Sequence, residues 1–230
     1  MAKLVSFARL DFMTVTPYFT GKNLILYAAI ALFISSVSGD ATAGVGVGMM
    51  LGTMFVSYPF AVGEKSNMDA LYVTLSVSRS TVVLGRYFFA FAMNVCAVLF
   101  SLTLAFAGVF VSRILDLRAE EIDTTGVIGG MAALAVVFIA VQAVQLPILF
   151  KFGYTKAKFL SQLPFIGMMA AFFIFLAIGK KIGAFQENSP FAAAAAGNVH
   201  LIALFTVLGL LLIAVVSARL SLGFYKKREF

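Results

Sequence analysis

Apolar residues fall along this chain in six long blocks, near 23–39, 41–63, 87–112, 126–150, 159–179 and 199–225, separated by short polar stretches. Crossing the hydrocarbon of a bilayer takes roughly twenty largely apolar residues as a helix, with about seventeen as the lower limit. Because lipid offers no hydrogen bonds, a lone spanning segment has to satisfy its own backbone, and runs of this length read as helices. The predicted fold is therefore all-α: a polytopic membrane protein with six transmembrane helices in one domain, residues 1–230. The stretches between blocks are roughly twenty residues at most, too short to bury a separate soluble core. Ahead of the first block, Leu4, Ala8, Phe12 and Val15 recur at three- and four-residue steps. Phe7 lies alongside, and Lys3, Arg9 and Asp11 sit elsewhere on the wheel. That pattern predicts an amphipathic helix within residues 1–20, lying on the membrane surface and stopped near Pro17.

Composition agrees with this solvent: 62% of residues are hydrophobic, 12% are charged and mean hydropathy is +1.03. The first block could be taken for a signal peptide, with Ser36-Val37-Ser38 as a mimic of a cleavage site. Cleavage there would release nothing soluble, since the second block follows after a short turn around Asp40. The net charge of +7 reports topology rather than a nucleic-acid partner. With the N-terminus inside, thirteen of the seventeen Lys and Arg fall on the cytoplasmic side. Arg113, Arg118, Lys180 and Lys181 remain outside, together with Asp40, Asp116, Glu120, Glu121, Asp123 and Glu187. Both termini are thus expected in the cytoplasm. The single cysteine, Cys96, lies inside an apolar block and reads as a buried thiol.

No Asp, Glu, Lys or Arg stands near the middle of any block, which argues against an ion-coupled mechanism. Intramembrane catalysis would need clustered His, Cys, Asp or Glu at depth, and the one histidine, His200, sits at the outer edge of the last block, near its start. No catalytic, cofactor or metal residues are expected in this chain. Gly44, Gly48 and Gly52 form two overlapping G-x-x-x-G steps that place small residues on one helix face, for close approach within the chain or between subunits. Asn94, Gln142 and Gln145 are the mid-block polar groups. They are suited to interhelical hydrogen bonds or to lining a pathway. Pro59, Pro147 and Pro164 are placed to kink helices. Pro190, ahead of an alanine run, marks the start of a short helix.

The loop between the second and third blocks carries Glu64, Asp69 and Arg79 together with apolar Leu71, Tyr72 and Leu75. A mere connector needs neither set. A helix lying on lipid is the plainer alternative. The segment Leu75-Ser76-Val77-Ser78-Arg79, followed by Val82-Val83-Leu84-Gly85-Arg86-Tyr87, resembles the first cytoplasmic loop of permease subunits of type-two ATP-binding-cassette exporters. Their pattern is Leu-Pro-Val-Ser-Arg with a Val-Val-Leu-x-Lys-Tyr entry. Here Ser76 replaces the proline and Arg86 the lysine. After the fourth block, Pro147 and Lys151-Phe152-Gly153 with Lys156 resemble the same family's Pro-x-x-x-Lys-Phe-Gly-x-x-Lys segment. Small permeases of bacterial peptide exporters, including those for phenol-soluble modulins and lantibiotic immunity, are the relatives this pattern suggests.

The resemblance implies a permease that exports an amphipathic or hydrophobic cargo. It also implies a second permease copy and a separate ABC ATPase subunit that docks on the loop around Glu64–Arg79. No Walker-type G-x-x-x-x-G-K-[ST] loop occurs in the chain, so ATP and Mg²⁺ are expected in the partner. Two rivals differ in class. A substrate-capturing subunit of a vitamin importer would carry its small-residue docking face on the first span, whereas the glycines here are in the second. An integral assembly factor would associate with a partner that is not an ATPase.

Overall fold

The computed structural model describes residues 2–18, 20–38, 41–74, 77–115, 124–181 and 198–228. Their regular structure is helical throughout: α1 (Ala2–Val15), continued by a 3-10 turn at Thr16–Tyr18, α2 (Gly21–Ser38), α3 (Ala41–Lys65), α4 (Met68–Thr74), α5 (Arg79–Ile114), α6 (Thr124–Ala157), α7 (Leu163–Lys181) and α8 (Val199–Lys226). Within α3, α5, α6 and α8 are segments long and apolar enough to cross a membrane. The pair α1 and α2, bent by 85° at their junction, makes a fifth if the two count as one span. A six-span plan asks α2 and α7, of 18 and 19 residues, to cross singly. At a rise of 1.5 Å per residue they reach about 27–28 Å, near the hydrocarbon thickness.

Most blocks match their helices to within a few residues. Two helices run on past their apolar blocks: α5 begins at Arg79 rather than near 87, and α6 continues to Ala157 rather than ending near 150. Pro164 occupies the first turn of α7, where its missing N–H costs nothing, instead of a helix interior. Pro59 and Pro147 lie inside α3 and α6. The acidic segment 116–123 and the short helix expected after Pro190 lie outside the described residues.

Packing centres on α3, which lies along α5 and α6. The flanks are α2 on α5 and α3, α8 on α6 and α5, and α7 on α6. The glycine stripe makes the α3–α5 contact close. A Cβ on Gly52 would stand 2.7 Å from the Ala97 Cβ, and one on Gly44 would run into Ser35 and Ala105. Gly48 lies one turn between them. Gly108 of α5 is equally tight, 2.9 Å from the Leu32 carbonyl of α2 for a Cβ placed there. The Gly108 carbonyl takes a hydrogen bond from Ser36 Oγ (3.1 Å). These small residues therefore join spans of the same chain, the in-chain use of such a stripe.

Two expectations are corrected by the packing. In α1 the buried face is Phe7, Ala8, Asp11 and Val15, while Phe12 is half exposed. The helix is packed onto α5 and α3 rather than resting only on lipid, with Phe7 against Gly85 and Asp11 facing Arg86. Cys96, expected to be buried, is exposed on α5 and borders an apolar cavity.

Candidate functional site

The loops singled out by the sequence meet at the end of the bundle where α3 ends, α5 begins and α8 ends. Asn67, at φ 53°, turns the chain from α3 into α4. Asparagine is among the few residues that adopt this left-handed conformation readily. Within α6 the helix is interrupted at Gly153, whose φ of 73° and ψ of 175° suit glycine alone. The break leaves the following amides without partners one turn back, and Glu64 supplies one. Its Oε2 accepts from the Tyr154 N–H (2.6 Å) and the Thr155 N–H (3.0 Å). A carboxylate from α3 thus caps a helical turn from another element, as an N-cap does within one helix. Burial acts to raise the Glu64 carboxyl. The Thr155 and Tyr154 hydrogen bonds and the Arg228 charge outweigh it, so its pKa lies below the ordinary value.

The C-terminal end of α8 closes the cluster. Tyr225 Oη donates to Asp69 Oδ1 (2.9 Å), and Arg228 Nη1 stands 3.8 Å from Asp69 Oδ2. The Arg79 guanidinium donates to the Tyr225 carbonyl (3.4 Å) and to that of Lys226. Those carbonyls belong to the last turn of α8, where helices expose unpaired acceptors and favour a cation. Ser78 caps α5, its hydroxyl accepting from the Thr81 N–H (3.2 Å). Glu64, Asp69, Ser78, Arg79 and Gly153 are therefore brought into one polar platform, with Tyr225 and Arg228 added from a segment that the sequence reading had not singled out.

Beneath the platform lies a group that sequence reasoning missed. Arg86, 4% exposed, points between α1, α3 and α6, with its guanidinium 4.1 Å from the centre of the Phe60 ring and 5.7 Å from that of Phe150. Its Nε is 4.0 Å from Oδ2 of Asp11, itself 1% exposed. That distance is too long for a hydrogen bond, and neither atom has one. Burial pushes the Asp11 carboxyl up to about 6 against the pull of Arg86. The signal was present in the sequence: Asp11 falls one turn after Phe7 and Ala8 and one turn before Val15.

Tyr72 is turned inward, edge-on to Phe7 with ring centres 5.2 Å apart, whereas Leu71 remains exposed on α4. Leu75 lies outside the described residues. Lys151 is exposed and reaches over the rings of Phe152 and Phe224, at 4.9 and 5.2 Å; Lys156 is also exposed. Away from the platform, Asn94 and Gln142 exchange two amide hydrogen bonds of 2.7 and 2.8 Å across α5 and α6. Gln145 is buried one turn beyond. A hydroxyl chain runs across to α8. Ser217 donates to the Ala143 carbonyl, so it accepts from Tyr87, whose oxygen in turn accepts from Ser221.

Fold and site together define a multi-pass helical membrane protein whose loops and last helix form an ordered polar surface at one end of the bundle. Within that class, the chain belongs to the ABC-2 family transporter proteins, whose family model matches residues 9–226. Membership makes it a membrane component of an ABC transporter and implies an ABC ATPase as its partner. No curated protein and no solved structure matches the chain.

Proposed function

We propose that the chain is the permease subunit of an ABC exporter, with six spans and both termini in the cytoplasm. Two copies pair with two ATPase subunits that hold the ATP and Mg²⁺. The observation that carries the reading is the platform. Glu64, Asp69 and Arg79 of one loop, the Gly153 break of the other and the end of α8 are tied into one unit. The thirteen-to-four bias of basic residues favours the cytoplasm for that end. A push delivered to α4 by ATPase closure would reach α3, α5, α6 and α8 together, the rigid-body coupling expected of a transporter. A hydrophobic or amphipathic cargo, such as a peptide, drug or lipid-like molecule, suits the apolar spans.

The test uses positions that the platform does not need internally. Leu71 is exposed on α4 and Lys156 on the turn after Gly153. Leu71→Asp and Lys156→Glu are expected to leave the purified permease folded, since exposed substitutions usually cost under about 0.5 kcal/mol. Copurification of the ATPase and cargo efflux should both fall at least tenfold, and Glu120→Lys in the acidic segment should change neither. Full ATPase association and full efflux in the Leu71 and Lys156 variants would make the platform a lipid-facing connector.

A further inference from the structure

Pro147 stands inside α6 and has no N–H to give the carbonyl four residues back, that of Ala143. Within a bilayer a carbonyl freed in this way needs another donor. Ser217 of α8, itself 3% exposed, supplies one from its hydroxyl. One helix thus completes the backbone of another. The same hydroxyl ends the chain that runs from Ser221 through Tyr87, and in each of those pairs either oxygen can be the donor. Once off the carbonyl, Ser217 can turn and donate to Tyr87, which then donates to Ser221, so the hydroxyls lose a single hydrogen bond.

The two sides of this junction are anchored to different neighbours. On the span side, Gln142 is pinned to α5 by its two amide hydrogen bonds with Asn94. On the platform side, Leu149 and Phe150 are buried, and Phe150 packs edge-on against Phe60 of α3 and Tyr225 of α8. The backbone breaks again at Gly153, where Glu64 of α3 takes over the amides. The stretch from Ala143 to Gly153 therefore lacks a helical hydrogen bond at each end, and helices bend where such bonds are missing. Within it, the buried Gln145 Oε1 has no hydrogen bond among the described residues, an acceptor that this arrangement leaves unmatched. We propose that α6 hinges at Ala143–Pro147 and that the Ser217 hydroxyl is the latch holding the hinge in the present arrangement. The hinge rests on the permease reading. A platform shifted by ATPase closure tilts the end of α6 about the Gln142 pivot and carries Ser217 off the Ala143 carbonyl, whereas α5, which has no proline, moves as a rod.

The test uses the full-length permease purified with its ATPase and reconstituted in vesicles. Pro147→Ala restores the missing N–H, so a double-mutant cycle reads the latch directly. Ser217→Ala should lower the unfolding temperature by about 2–4 °C, the shift expected for one hydrogen bond in a chain of this size. In the Pro147→Ala background the same change should have almost no effect. Bending is read with spin labels at Ala133 and Phe152, both exposed and on opposite sides of the junction, in a Cys96→Ser chain paired with an unlabelled copy. The distance should change when the complex is trapped with ATP and vanadate, and should shift towards the trapped value in Ser217→Ala without nucleotide. In Pro147→Ala it should stay at its resting value although the ATPase remains bound. An equal loss of unfolding temperature in both backgrounds overturns the latch. The full distance change in Pro147→Ala, or no change on trapping the parent, overturns the hinge. A parent chain that purifies without any ATPase would defeat the permease reading instead, and the unfolding cycle would still decide the latch.

Discussion

The two ends of the bundle are held together by different chemistry. At the platform end, among the described residues, a cluster of seventeen buried apolar residues, rich in aromatics, gathers α1, α3, α4, α5, α6 and α8. Phe60, Phe150 and Tyr225 stack edge to face through it, with ring centres 4.9 and 5.5 Å apart, and Arg86 sits over the Phe60 ring. The far half has a smaller cluster of Val45, Met49, Ala105, Val109 and Phe138, and its helices approach through glycine, alanine and serine. Large rings and buried charge hold many elements in one arrangement. Small residues hold helix pairs mainly by close fit, with the Ser36–Gly108 hydrogen bond beside it. The difference suits the proposed coupling, in which force arrives at one end and spans rearrange at the other.

The largest expected effect comes from removing the buried cation of the platform end. Arg86→Met strands the Asp11 carboxylate, and breaking a buried ion pair from one side costs roughly 3–5 kcal/mol. Thermal unfolding of the detergent-solubilised chain should show it as the greatest single loss, with Asp11→Asn added to Arg86→Met recovering much of it. The same pair predicts a pH dependence. Burial holds the Asp11 carboxyl at about 6 in the fold, above the ordinary 3.8, so the folded state takes up the proton more readily. Its contribution favours the fold fully below the unfolded value and is lost as pH rises through about 6. Unfolding temperature should therefore fall between pH 4 and 7, and the Asp11→Asn variant should show a flatter slope.

A smaller loss is expected at the junction between the two loops. Gly153→Val forces a side chain into a backbone region that costs about 1–3 kcal/mol. A Cβ there would also stand 2.7 Å from Arg228 Nη2 and 3.0 Å from Glu64 Oε2. Destabilisation accompanied by faster amide exchange at Tyr154 and Thr155 would identify the lost cap as its origin.

The far half supplies the mildest changes, and they discriminate within one helix. Gly52→Ala meets Ala97 at 2.7 Å and should cost roughly 1–2 kcal/mol as overpacking. Gly46→Ala meets only the end of the Leu134 side chain at 3.6 Å and should stay within about 0.5 kcal/mol of neutral. Should Gly52→Ala prove more damaging than Arg86→Met in the same unfolding assay, the contrast between the two ends would not hold.

Hydropathy located the long helices, though not the starts and ends that run past the apolar blocks, because a chain in lipid has few ways to satisfy its backbone. The glycine stripe was legible for the same reason: residues four apart share a face whatever they face. The loop motifs identified the family and the residues Glu64, Asp69 and Arg79, yet they offered those groups as free contacts for a partner. Only the tertiary structure decided that Glu64 caps the break at Gly153, that Asp69 holds Tyr225 and that Arg79 closes the end of α8. Those pairings join positions from 90 to 156 residues apart, a separation that no local pattern encodes. The burial of Arg86 was hidden as well. A basic residue beside a span reads as a surface charge until its neighbours are known, and its neighbours are Asp11 on α1 and the rings of Phe60 and Phe150 on α3 and α6. Sequence fixes which residues prefer lipid or water one at a time, whereas the partner of a buried charge depends on how the whole bundle closes.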